Sequence, residues 1–232
     1  MIYLINQDWL NTSNNHAGIK YLCKRMAELY PDTFCCITIN NLNKIVPNQM
    51  VQKFYNLIAK VKFYITLYKL THKMRKIVDN DDIVFLMEYM DMGFSMTSLA
   101  KKMHMSGITV YAMVHLVPQK LDVIFKTTES LMKSVNCVDY LFTLGHSLTD
   151  YFINRGVDAR KVITSFHYVD KYYLNEKPVR KHDHLKVIAM GNQMRNVNVL
   201  KQVVDDNPNV SFIICQGISD LTSCFGNYTN VE

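Results

Sequence analysis

Residues Val138–Asp170 read VDYLFTLGHSLTDYFINRGVDARKVITSFHYVD. An apolar β-rich run, Tyr140–Leu144, stops at Gly145. Ser147 then opens a helical pattern with Leu148, Tyr151 and Phe152 on one face, and Gly156 ends it. Lys161–Phe166 is a second β-rich run, and a charged linker follows it. A strand, a short helix, a Gly-Val turn and a strand form the closing edge of one Rossmann-like domain. The linker leads into a new βαβ unit.

The same alternation extends toward both termini. Ile2–Asn6 is an apolar strand, and Gly18 starts a helix that reaches Tyr30. Phe34–Ile39 is the second strand, followed by a long helical region, Met50–Val78, in one piece or two. Ile83–Met87 and Thr109–His115 are further strands, with a helix at Met96–Met105 between them and another at Val123–Val135. Beyond the linker come a strand at Leu185–Met190, a helix at Val197–Val204, a strand at Val210–Cys215 and, after Gly217, a polar tail. The strands are continuous apolar runs, as parallel strands buried on both faces require. The predicted fold class is α/β, a Rossmann-like doubly wound parallel sheet followed by a truncated second Rossmann-like domain. The expected domains are residues 1–170 and 171–232. The second is too small to bury a proper core, so the chain reads as part of a longer protein.

Hydrophobic residues at 49% and charged residues at 20% place the chain among soluble globular proteins. No apolar run approaches the roughly 20 residues of a transmembrane helix, and the N-terminus reads as a first strand, not a signal peptide. Six cysteines without CxxC or Cys/His metal spacing read as buried free thiols in a reducing compartment. The net charge of +6 is unevenly placed. Thr33–Val78 holds no Asp or Glu, but carries Lys44, Lys53, Lys60, Lys62, Lys69, Lys73, Arg75 and Lys76. An anionic partner is therefore to be sought at this one region.

Four places carry residue types suited to chemistry. Ser13-Asn14-Asn15-His16-Ala17-Gly18 precedes the first helix. The free N–H groups at a helix N-terminus hold phosphate or carboxylate, and Gly18 allows close approach. An ordinary capped βα loop is the competing reading. His115 closes the fourth strand and Glu88 the third. Ligands of doubly wound sheets bind beyond the carboxyl ends of the strands, so the two are candidate catalytic residues that orient hydroxyls or move a proton. A hydrogen-bonded structural histidine is the alternative. Gly191-Asn192-Gln193-Met194-Arg195 follows the first strand of the second domain, where Arg195 suits a bidentate grip on a diphosphate. Lastly, Met50–Val78 interleaves aromatics with lysines. That suits an anionic membrane surface, with Lys60, Lys62, Lys69 and Lys73 as contacts. A helix packed on the sheet with a solvated basic face is the alternative, and no nucleic-acid motif accompanies the patch. GxGxxG and GxxxxGK[ST] are both absent, which counts against a Rossmann-type oxidoreductase.

Several short motifs, taken in order, resemble a GT-B glycosyltransferase of the group that includes the family 4 retaining enzymes. They are His16-Ala17-Gly18-Ile19 with Leu22 and Leu29 behind; Val114-His115-Leu116; the Ser147 helix ending in Arg155-Gly156-Val157, then Lys161-Val162-Ile163; Tyr168-Val169-Asp170; and Leu185–Gly191. The resemblance spans all 232 residues. It implies transfer of a sugar from a nucleotide sugar to a saccharide or lipid-linked acceptor, in a crevice between two domains, for surface polysaccharide or glycolipid synthesis. It implies neither metal nor cofactor beyond the donor. Positive groups and helix N-termini would stabilise the leaving diphosphate. Gly18, Gly191 and Arg195 would lie near the donor phosphates, and His115 near the transferred sugar. The implied location is the cytoplasm, peripheral at the inner face of the membrane.

This sequence departs from the pattern in three ways. Gly191 is followed by Asn192, with the Arg only at 195. Phe166-His167-Tyr168 replaces the usual Pro-Asn-Gly of the linker. The later donor motif with two glutamates is not among these residues. The expectation is little or no transferase activity from the 232-residue chain by itself. The alternative is a non-catalytic membrane-docking or partner module that keeps the fold.

Overall fold

Runs rich in Ile, Val, Phe and Tyr leave few polar side chains for water, so the strands they form pair in parallel with both faces covered. The computed structural model describes residues 1–8, 18–41, 48–90, 94–168, 185–189, 196–215 and 221–232. The chain forms two units, Met1–Asn175 and Glu176–Glu232.

The first unit holds β1 (Ile2–Asp8), α1 (Ile19–Leu29), β2 (Phe34–Asn40), α2 (Gln49–Ile77), β3 (Ile83–Tyr89), α3 (Thr97–Met105), β4 (Thr109–Val114), α4 (Pro118–Ile124), α5 (Thr128–Val135), β5 (Tyr140–Leu144), α6 (His146–Ile153) and β6 (Val162–Ser165). Its six-stranded sheet runs β2-β1-β3-β4-β5-β6, with every pairing parallel. The step from β1 to β2 goes one way along the sheet, and all later steps go the other way. Right-handed crossovers then demand opposite faces for the two directions. Accordingly α1 packs through Cys23 on Leu4, Met87 and Met113 of one face. Helices α2 to α6 bury Phe63, Leu67, Met74, Leu99, Leu121, Leu131 and Phe152 with Ile5, Val84 and Val110 of the other. The α/β doubly wound expectation holds.

Several elements differ from the sequence-based expectation. The long helix is a single piece of 29 residues, started by Asn48, whose side chain accepts from the Met50 and Val51 amides. The expected helix Val123–Val135 is two helices. Pro118 starts α4 at its first turn. Thr127 starts α5 with a capping box, exchanging hydrogen bonds with Ser130. β1 and β3 each run two residues beyond their apolar cores, to Asp8 and Tyr89.

The second unit has β7 (Lys186–Ala189), α7 (Val197–Asp206), β8 (Ser211–Ile214) and α8 (Thr222–Phe225). β7 and β8 pair in parallel. The tail after Gly217 is not merely polar: Leu221 and Phe225 are buried, and Val231 bridges to Phe212 beside β8. The cysteines also depart from expectation, because only Cys23 and Cys137 are buried and Cys215 is exposed.

Candidate functional site

The reversal of crossover direction falls between β1 and β3. At such a switch point the loops above neighbouring strand ends diverge, which opens a crevice at their carboxyl ends. The chain places buried polar groups there. Asn6 and Gln7, at the end of β1, are 0% and 1% exposed. Burying two amides requires partners. Asn6 accepts from Thr38 Oγ1 at 3.1 Å and donates to Cys36 Sγ at 3.3 Å. Gln7 accepts from Asn41 Nδ2 at 2.9 Å and donates through Nε2 to the Phe94 carbonyl at 3.4 Å. The Asn41 Oδ1 atom is buried without a hydrogen-bond partner.

Glu88 lies opposite, on β3. Its Oε2 accepts the Gln7 backbone N–H at 2.6 Å, a charge-assisted bond across the switch point. Here β3 changes register against β4: Leu86 pairs with Ala112, but Tyr89 pairs with Val114, so Met87 and Glu88 together oppose Met113. This is a bulge, a device that re-aims side chains and backbone next to active sites. The Met87 carbonyl, within the bulge, lies 2.7 Å from His115 Nε2. A carbonyl only accepts, so Nε2 carries the proton and a neutral ring keeps Nδ1 as its acceptor. Burial holds the His115 imidazole below its ordinary value; the Met87 bond opposes this and the nearby His167 reinforces it. The His115 and His167 rings lie 5.8 Å apart between centroids. Just past Glu88, Met90 is buried at a φ of 64°, in the left-handed region that non-glycine residues rarely adopt.

Gly18 stands at the start of α1 with φ 85° and ψ 158°, a conformation open almost only to glycine. Its carbonyl accepts from Tyr168 Oη at 2.8 Å. That bond ties α1 to the segment following β6. Lys20, in the first turn, pairs with Asp8 at 2.9 Å. Between α1 and this segment lies an apolar cavity of about 210 Å³, lined by Leu22, Met26, Met87, Met113, Phe142 and His167 among others. Met87 lines this cavity and offers its carbonyl to His115, so an apolar cavity neighbours the strand-end polar groups, a combination that small-ligand sites use.

The structure places Glu88 and His115 at adjacent strand ends, linked through the bulge, with Gly18 at the start of α1. Lys60, Lys62, Lys69 and Lys73 are exposed on α2. Gly191 and Arg195 lie outside the described residues, as does the Val169-Asp170 part of the linker motif. Asn6, Gln7 and the Met87 carbonyl were not anticipated. The available signal was the run Asn6-Gln7-Asp8 immediately after an apolar strand: two amides and an acid where a buried strand should end. Among the described residues no group of three or more His, Cys, Asp or Glu side chains is placed to hold a metal ion.

No protein-family model matches the chain, and no curated protein sequence matches it. Solved structures do. A UDP-GlcNAc 2-epimerase from Neisseria meningitidis, bound to UDP-GlcNAc, aligns over 100% of this chain and 71% of its own, with a TM-score of 0.53 at 10% identity. HepE of Anabaena, in complex with UDP and glucose, aligns over 99% of this chain and 68% of its own, with a TM-score of 0.60 at 12% identity. A lipopolysaccharide outer core galactosyltransferase, WaaB, aligns over 100% and 67%, with a TM-score of 0.60 at 10% identity. With the sheet order and the switch point already described, these likenesses identify the architecture: the chain has the GT-B fold, a Rossmann-like first unit followed by a smaller βαβ unit.

Proposed function

We propose that the protein acts on a nucleotide sugar, and that it transfers the sugar to a saccharide or lipid-linked acceptor in the synthesis of a surface polysaccharide or glycolipid. The observation that supports this most is the switch-point crevice. There Glu88 is held by the Gln7 amide and His115 by the Met87 carbonyl, in a fold shared with structures that hold UDP or a UDP sugar. His115, neutral with its proton on Nε2, offers Nδ1 to a sugar hydroxyl. Glu88 holds the end of β1 against β3, and so positions the groups around His115. Gly18 lets a phosphate approach the first turn of α1, where N–H groups and the helix dipole favour negative charge. Gly191 and Arg195 are the proposed further contacts of the diphosphate. Departure of the diphosphate then rests on electrostatic stabilisation by these groups, with no step assigned to a metal.

The test is an assay of the protein, in the longest form its gene encodes, against a panel of nucleotide sugars, following nucleoside diphosphate release and the labelled sugar. Acceptor-dependent release that falls in a His115→Ala variant is the expected result. An epimeric nucleotide sugar without glycoside formation would refute transfer while keeping nucleotide-sugar chemistry. Absence of both binding and turnover across the panel would leave the non-catalytic module as the reading.

A further inference from the structure

Helix α2 carries apolar residues on two opposite sides, and only packing decides which side meets the sheet. Ala59, Phe63, Leu67, Leu70 and Met74 are buried. The side turned away from them is also apolar: Met50, Phe54, Leu57, Val61, Ile65 and Tyr68 are 82%, 65%, 58%, 52%, 52% and 67% exposed. Their spacing of three and four residues makes one stripe down the helix, about 27 Å long at 1.5 Å per residue. Exposed large side chains scattered singly need no explanation, but a continuous stripe of six does.

Basic residues frame this stripe. At 3.6 residues per turn, Lys53 and Lys60 fall roughly 80–100° to one side of it, and Lys62, Lys69 and Lys73 roughly 80–120° to the other. All five are exposed. In the last two turns His72, Arg75 and Lys76 continue the outer face as a basic end. No acid lies anywhere between Thr33 and Val78. An apolar stripe with cationic flanks is the arrangement of a helix lying in the plane of a bilayer: the stripe enters the acyl boundary and the lysines reach anionic headgroups. Among the described residues no helix, α2 included, is long and apolar enough to cross a membrane. A second copy of the chain is disfavoured as the occupant, because facing α2 helices would set lysine against lysine with no acid between them.

We propose that the exposed face of α2 docks the protein on an anionic lipid bilayer, with Phe54, Leu57, Val61, Ile65 and Tyr68 inserted and Lys53, Lys60, Lys62, Lys69 and Lys73 on the headgroups. The docking face lies on the side of the sheet opposite α1 and does not depend on the sugar-transfer reading.

The experiment is sedimentation of the full chain with phosphatidylcholine vesicles, with and without phosphatidylglycerol, at low and high salt. Binding to the phosphatidylglycerol vesicles that weakens in high salt is the expected result. Replacing Lys60, Lys62, Lys69 and Lys73 together by Gln should weaken partitioning roughly 10²–10³-fold, at about five-fold per lysine. Replacing Phe54, Val61 and Ile65 together by Asn should also abolish sedimentation. These side chains are exposed, so circular dichroism should show an unchanged fold. The proposal is overturned if the wild type ignores anionic vesicles, or if binding survives both variants. It is equally overturned if the stripe instead holds a dimer that the Asn variant dissociates.

Discussion

Replacement of His115 tests the centre of the candidate site, and the structure gives its size. In His115→Ala the Met87 carbonyl loses its 2.7 Å donor. A carbonyl left without its partner in a largely buried place costs about 1–3 kcal/mol. For a chain of this size each kcal/mol lowers the unfolding temperature by roughly 2–4 °C, so calorimetry should find a drop of about 2–12 °C. His115→Gln places an amide N–H near the Nε2 position, so its loss should stay below about 1 kcal/mol. Gln does not restore an imidazole Nδ1 to the substrate side. The proposed sugar transfer, assayed in the longest form the gene encodes, should therefore fall about 3- to 10-fold in the Gln variant, the worth of one hydrogen bond, although the fold is kept.

Acidity provides a second reading of the same group. The folded His115 is held below its ordinary value, so the unfolded state binds its proton first as pH falls. This contribution is complete above an unfolded value of about 6.5 and is lost as pH drops from there through the lowered folded value. Wild-type stability should fall over that window, and the Gln variant should lack this component. Equal destabilisation by Ala and Gln, together with an unchanged pH profile, would refute the assignment of Nε2 to the Met87 carbonyl.

Other expectations follow from particular contacts. Glu88→Leu removes the acceptor of the Gln7 amide and should cost about 1–3 kcal/mol in denaturant unfolding, while Glu88→Gln, which keeps a carbonyl oxygen, should cost less. Equal losses would show that the bond contributes nothing. Gly145, at φ 112° and ψ 160° before α6, adopts a conformation nearly closed to other residues; Gly145→Ala should destabilise by about 1–3 kcal/mol although nothing would touch the added methyl. In native protein a thiol reagent should modify exposed Cys215 and spare Cys23, whose burial pushes its thiol well up; peptide mapping that finds Cys23 labelled before unfolding would contradict the packing of α1. Thr149 shares its hydroxyl with Thr143 at 2.6 Å and Thr164 at 2.7 Å; Thr143 keeps the Ile163 carbonyl at 3.5 Å and Thr164 is exposed, so Thr149→Val should cost only about 1 kcal/mol in denaturant unfolding, the worth of the lost bonds.

Local order in this chain is largely written in its residues. Tyr140–Leu144, Gly145 and the Ser147 helix read as strand, stop and helix because period and breaker residues act over a few positions, and the alternation of such units calls for a parallel sheet. His115 and Glu88 were legible as strand-end residues for the same reason. The split between α4 and α5 was less visible, since Thr127 caps a helix within an otherwise continuous helical pattern.

What the tertiary structure alone decided are relations between distant residues. Strand order puts β1 beside β3, and only that adjacency lets the Gln7 amide find Glu88 and lets a bulge hand the Met87 carbonyl to His115. Buried Asn6 and Gln7 look like the frayed end of a strand until their partners on β2 and around Phe94 are in place. Helix α2 carries apolar residues on two sides, so periodicity could not choose between them. The sheet took the face of Phe63, Leu67 and Met74, and that choice left the stripe from Met50 to Tyr68 exposed between lysines. Periodicity is a property of neighbours in sequence, whereas a crevice or a docking face arises from which neighbours in space remain to be covered.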